Sequence, residues 1–293
     1  MGPATHALHI ALAYAGRVAL ATLAQCALVL GPPLLLAAVM QPVALRSEQW
    51  TRRLVGERAH WVAAGWLSTA LHEGGHAALA LLFGHRVTRV KWFDFHASDG
   101  TLGQVEHQYD PKSFYQRAGR FFIGVAPVAV GALVIALAAR FLLGVQGPSG
   151  RTVAHGSPEL TTVTRTFATQ LGASVHAVGR LAMALHADRW RTWIFLYLAY
   201  VGGSAMRLSG SDLRSAGAGM WTLGCLLLLA NALTLWAGTF ATSLALRVAS
   251  ALALCDAALL AAIALQLLVG AVSLAITHAA AYFRARDAAL ARG

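Results

Sequence analysis

Residues 71–76 read LHEGGH, which sets His72, Glu73 and His76 inside an otherwise apolar run. Positions four apart share one face of a helix, so His72 and His76 can present two imidazoles to a single metal ion while Glu73 stands beside them. Two histidines and an adjacent glutamate are the components of zinc-assisted hydrolysis: the histidines hold the ion, and the carboxylate takes and returns a proton. A catalytic zinc has three protein ligands and keeps a fourth position open, so this motif requires one more ligand from elsewhere in the chain.

The elements that would position these groups lie in a membrane. The chain has 293 residues, 57% hydrophobic and 12% charged, with a mean hydropathy of +0.59. That balance places it with polytopic membrane proteins rather than soluble domains. The net charge of +11 is scattered between apolar runs and not gathered into a patch, so it reads as loop and interface charge beside anionic lipid, with no nucleic-acid partner expected. Cys26, Cys225 and Cys255 sit singly in apolar stretches and read as free thiols. The preference for Arg over Lys and the abundance of Ala suggest a bacterial source, and hence a multi-pass protein of a bacterial inner membrane.

The predicted fold is all-α: a single integral membrane domain over 1–293, built as a bundle of about six transmembrane helices with a small β-hairpin after the motif helix. The first span is 18–40; its apolar run is long for a signal peptide and lacks a good cleavage site. Residues 41–60 read as an aqueous connection. The motif helix is 61–83, and the segments 87–93 and 101–108 have strand composition around a turn-rich DFHASDG, which predicts a hairpin at the membrane surface. A third span over 121–145 is kinked at Pro127. An amphipathic helix over 161–186, a fourth span over 190–209 and C-terminal helices over about 220–246 and 249–283 complete the bundle. Six crossings would put both termini, the 84–120 loop and the 207–217 loop on one side. The basic residues divide almost evenly between the two faces and do not orient the protein.

Asp212 is the favoured third metal ligand, because it follows an apolar span, lies on the side where the motif helix ends, and sits among Gly and Ser residues that let a backbone bend inward. His85, His96, His107, Asp94, Asp99 and Asp110 on the hairpin compete with it, as does Asp256 within the last span. Arg207 and Arg214 flank Asp212, placed either to reach lipid headgroups or to orient its carboxylate.

With these residues in place, the stretch 61–218 resembles the site-2 protease family of intramembrane zinc metalloproteases. The resemblance rests on the HEGGH in a hydrophobic helix, the hairpin that follows, the Gly124-Val125-Ala126-Pro127 element and a later Asp near a membrane-embedded turn. Family members carry Asn and Pro ahead of a Leu-Asp-Gly ligand motif, whereas this chain has Ser211-Asp212-Leu213, so it resembles a divergent branch. The resemblance implies zinc held by His72, His76 and Asp212, Glu73 as acid–base residue, and a membrane protein as substrate. Gly124, Pro127 and Val105 are the candidates for receiving that substrate. Two other readings stand beside it: a divalent-metal transport or sensing protein, for which Asn231, Asp256 and Gln266 are available but sparse and along no clear line, and an inactive protease-like binding protein.

Overall fold

The computed structural model describes residues 2–95, 102–145, 160–235 and 240–290. Among them are nine α-helices and one two-stranded sheet. Four helices are long and apolar enough to cross a membrane: α1 (Pro3–Val55), α5 (Ala126–Leu143), α8 (Gly210–Thr234) and the Ser243–Asp287 part of α9 (Phe240–Leu290). Large apolar side chains such as Leu23, Leu133, Phe141, Trp221 and Leu268 point outward, as on a surface solvated by lipid. The central core gathers Met40, Ala132, Ile135, Ala199, Leu259 and Ala262 from α1, α5, α9 and α7 (Trp190–Ala205).

Helix α1 runs for 53 residues, about 80 Å at about 1.5 Å per residue, with Pro32, Pro33 and Pro42 inside it. Residues 41–55 are therefore helix and not a loop, and the turn is confined to Gly56, whose φ of 87° suits glycine alone. Glu48 is buried in this stretch because Arg207 pairs with it at 2.7 Å. From Gly56 the chain doubles back through α2 (Glu57–His60) and a single wide turn at Trp61–Gly65 into α3 (Trp66–Leu82), the motif helix. Trp61 folds over Gly65, where any side chain would collide with its ring.

Helices α1 and α9 lie side by side and run parallel. Leu28 packs with Leu246, Met40 lies with Ala262 at Gly203, Trp50 meets Gly270 and Thr51 meets Ser273. The N-terminus of the first and the C-terminus of the last thus lie at opposite ends of the bundle, not at one end as six crossings predict. The reason lies in α7 and α8. Helix α7 runs antiparallel to α9, with Tyr200 at Gln266 and Gly203 at Ala262, and α8 runs antiparallel to α1, from Leu208 at Gln41 to Asn231 at Gln25. The two helices form one interrupted path, and at its break, residues 206–209, Met206 and Leu208 are buried while Ser209 is exposed. Helix α8 also begins earlier than expected, at Gly210, because Ser209 and Asp212 form a reciprocal capping box that starts it, and it ends at Thr234.

The expected third span is likewise interrupted. Helices α4 (Phe114–Gly124) and α5 meet at Val125, because Pro127 supplies no N–H to continue the ladder. Helix α4 runs antiparallel to α8 in close contact: a Cβ at Gly124 would press on the Asp212 carbonyl and Ala216, and one at Gly219 would coincide with the Phe121 backbone. Helix α6 (Leu160–Ala184) packs on the bundle, with Gln170 bonded to Asp256 of α9 at 2.5 Å.

The hairpin forms as expected from β1 (Arg86–Lys91) and β2 (Gln104–Gln108), antiparallel, with Val90 opposite Val105 and an irregularity between Val87 and Arg89. It folds back along α3, with His85 beside Ala80, Trp92 beside Gly74 and Phe93 beside Trp61.

Candidate metal centre

Two helix breaks and one helix start converge on the motif. His72 and His76 leave the same face of α3, with ring centroids 4.8 Å apart. His76 Nδ1–H donates to the Ile123 carbonyl at 2.8 Å. In a continuous helix that carbonyl would accept from the N–H of residue 127, but residue 127 is proline, so the break between α4 and α5 leaves it free. His72 Nδ1–H donates to the Ala205 carbonyl at 2.9 Å. That carbonyl is free for a parallel reason: α7 ends there, and the N–H of Ser209 donates instead to Asp212 Oδ2 at 2.7 Å.

A carbonyl can only accept, so both rings carry their proton on Nδ1 and turn an Nε2 lone pair inward. The two Nε2 atoms lie 3.2 Å apart. Asp212 completes the group, with Oδ1 at 3.2 Å from His76 Nε2 and Oδ2 at 3.5 Å from His72 Nε2. All three ligand atoms fall within 4.8 Å of one another. With both rings neutral, three lone-pair donors face a common point, an arrangement that a divalent cation satisfies. Ligands at about 2.0–2.1 Å in a tetrahedron stand about 3.3 Å apart, close to the spacings found here. The donor set, two neutral imidazoles and one carboxylate, fits zinc in number and kind.

Glu73 is buried next to this group and close enough to interact electrostatically with His72, His76 and Asp212. The hairpin covers it. At Gly103, just ahead of β2, a Cβ would lie 2.7 Å from Glu73 Cγ and 2.6 Å from Thr69, so only a glycine lets this backbone approach the carboxylate.

The competing ligands are engaged elsewhere. His85 and His107 contact each other, Nδ1 to Nδ1 at 2.9 Å, and His85 Nε2–H donates to the Gln116 carbonyl. Burial, reinforced by the neighbouring His85, holds the His107 imidazole below its ordinary range. Asp94 pairs with Lys91, Asp110 accepts from the Lys112 amide, and Asp256 bonds to Gln170. His96 and Asp99 lie outside the described residues. Arg207 does not pair with the Asp212 carboxylate; its guanidinium pairs with Glu48, while Arg214 is exposed. Of the substrate-receiving candidates, Gly124 and Pro127 are buried, the first under α8, so neither presents a surface to a substrate; Val105 is half-buried on β2. Asn231, Asp256 and Gln266 belong to three separate inter-helix pairings, with Gln25, with Gln170 and with Ser204 respectively.

The sequence offered one unused signal and withheld two others. Ser209 three residues before Asp212 is a helix-start signature that would have placed the carboxylate in a first turn. Ile123 and Ala205 act through their carbonyls, which no side chain announces.

Pro127 is thus expected to act on the metal centre through the carbonyl it leaves free. Pro127→Ala supplies an N–H that competes with His76 for Ile123, and metal affinity should fall by about 10–100-fold, the usual cost of losing an outer-shell partner. Titration of the metal-free variant with zinc checks this; unchanged affinity would remove Pro127 from the site.

Comparison with protein-family models, curated proteins and solved structures finds no match to this chain.

Proposed function

We propose that the protein is a membrane-embedded zinc metallopeptidase, resembling site-2 proteases, that hydrolyses peptide bonds of membrane-associated proteins. The observation carrying this reading is the convergence of His72 Nε2, His76 Nε2 and an Asp212 carboxylate oxygen beside the buried Glu73. His72, His76 and Asp212 would hold the ion. When bound, zinc supplies Lewis-acid polarisation of the scissile carbonyl and a lowered pKa for water.

Glu73 takes the proton of the attacking water and later delivers a proton to the leaving amine. The Ile123 and Ala205 carbonyls fix the two rings, so the acceptor nitrogens need no reorganisation as the reaction proceeds. The hairpin supplies a place for substrate. Each strand of a two-stranded sheet keeps one unpaired edge, and an extended segment added there gains main-chain hydrogen bonds beside Glu73 without depending on its sequence. Substrate helices must unwind locally to be cut, and pairing with a strand edge compensates for the helix bonds they lose. The chain crosses the bilayer through α1, α3, the α4–α5 pair, the α7–α8 pair and α9 in alternating directions, in a bacterial inner membrane.

The test is zinc content per chain in purified, detergent-solubilised protein, together with hydrolysis of quenched-fluorescence peptides in reconstituted vesicles. About one zinc per chain and hydrolysis abolished by chelator and restored by zinc are expected. Protein that takes up no zinc after resupply would overturn the reading.

A further inference from the structure

The metal centre leans on a helix outside the motif region. The break between α7 and α8 carries two of its parts, the Ala205 carbonyl that orients His72 and the Ser209–Asp212 cap that delivers the carboxylate. An interrupted helix leaves backbone groups unpaired, and in a bundle interior such a segment is held only if other groups bond to it. Helix α1 provides them. The Gln41 side-chain amide makes a reciprocal pair with Leu208: Nε2–H donates to the Leu208 carbonyl at 3.0 Å, and Oε1 accepts from the Leu208 N–H at 3.0 Å. Two turns further on, the buried Glu48 forms an ion pair with Arg207 at 2.7 Å, and Arg207 Nε–H reaches the Ser204 carbonyl at 3.4 Å. His60 closes the other side of Glu48 at 3.6 Å.

These contacts bracket the break at consecutive residues, three or fewer positions from Ala205 and four or five from Asp212. No side chain on α3 performs this task among the bonds the described residues make to 206–208. We infer that Gln41 and Glu48 of α1 are positioning residues of the metal centre, clamping the α7–α8 break so that the Ala205 carbonyl and the Asp212 carboxylate meet the two histidines. The inference rests on the metal reading of His72, His76 and Asp212. It adds that the N-terminal helix is a working part of the site and not only a membrane anchor.

The experiment compares Gln41→Leu and Glu48→Gln with Gln25→Leu in the full chain. Gln25 also lies on α1 and also bonds a descending helix, through Asn231, but far from the break. Cobalt(II) serves as the probe, because its visible absorption reports ligand geometry as well as occupancy. The Gln41 and Glu48 variants should bind cobalt about 10–100-fold more weakly and with altered spectra, whereas Gln25→Leu should lower thermal stability and leave affinity and spectrum as in wild type. Hydrogen–deuterium exchange of peptides covering 204–212, measured on metal-free protein, should rise at least about tenfold in the Gln41 variant and not in the Gln25 variant. Wild-type affinity, spectrum and exchange in Gln41→Leu would overturn the proposal, as would equal effects from Gln25→Leu. Failure of wild type to bind cobalt would instead strike the metal reading; the exchange comparison then decides by itself whether α1 clamps the break.

Discussion

Replacing Glu73 by Gln should reduce peptide hydrolysis by about 10²–10⁴-fold while leaving about one zinc per chain. Glu73 is not among the three convergent ligand atoms, so its amide removes a proton acceptor without opening the metal centre. Glutamine matches the carboxylate in size, which matters under Gly103, where the hairpin backbone leaves no room for a larger group. Hydrolysis rates in vesicles and zinc content, measured on the same preparation, separate the two effects. Retained hydrolysis would refute Glu73 as the acid–base residue. Lost zinc would instead make it part of the metal's holding group.

Asp212→Ala should have the larger effect on the metal itself. Structural zinc sites with four ligands bind with about 10–16 kcal/mol, roughly 2.5–4 kcal/mol per ligand, so losing one of three implies a drop on the order of 10²–10³-fold in affinity. The variant also deletes half of the capping box that begins α8, a loss worth about 1 kcal/mol of stability. Asp212→Asn separates the two contributions, since an amide oxygen can still accept from Ser209 but ligates zinc poorly. Zinc affinity should therefore be weak in both variants, and thermal stability in detergent should recover in the Asn form. Full zinc retention in Asp212→Ala would remove Asp212 from the centre and with it the three-ligand reading.

The parts of this architecture that depend on side-chain type were readable from the sequence. Ligand spacing in HEGGH, strand composition on either side of DFHASDG, and an aspartate following an apolar span each led to the element observed. Direction and depth were harder to read. An apolar run states how long a helix is, and not whether a break within it reverses the chain. The break at 206–209 looks in sequence like a loop between two spans, yet α7 and α8 continue the same way along α1. Residues 41–55 look aqueous because of Arg46, Arg52, Arg53 and Glu48, but contacts with Arg207 and His60 hold Glu48 inside. Gly103 carried no signal, because its role depends on a neighbour thirty residues earlier in the chain.

The two histidines are oriented by main-chain carbonyls, at Ile123 and Ala205, exposed by interruptions in the helices that bear them. A support of this kind is indifferent to which amino acid occupies either position and sensitive to how many residues separate it from the break. Such a centre tolerates wide drift in residue identity through α4 and α7 but not a one-residue insertion or deletion between 123 and 127 or between 205 and 212. In a lineage of such chains, gap-free spacing around the two interruptions would persist after sequence similarity had faded, and spacing would be the trait by which distant relatives are known.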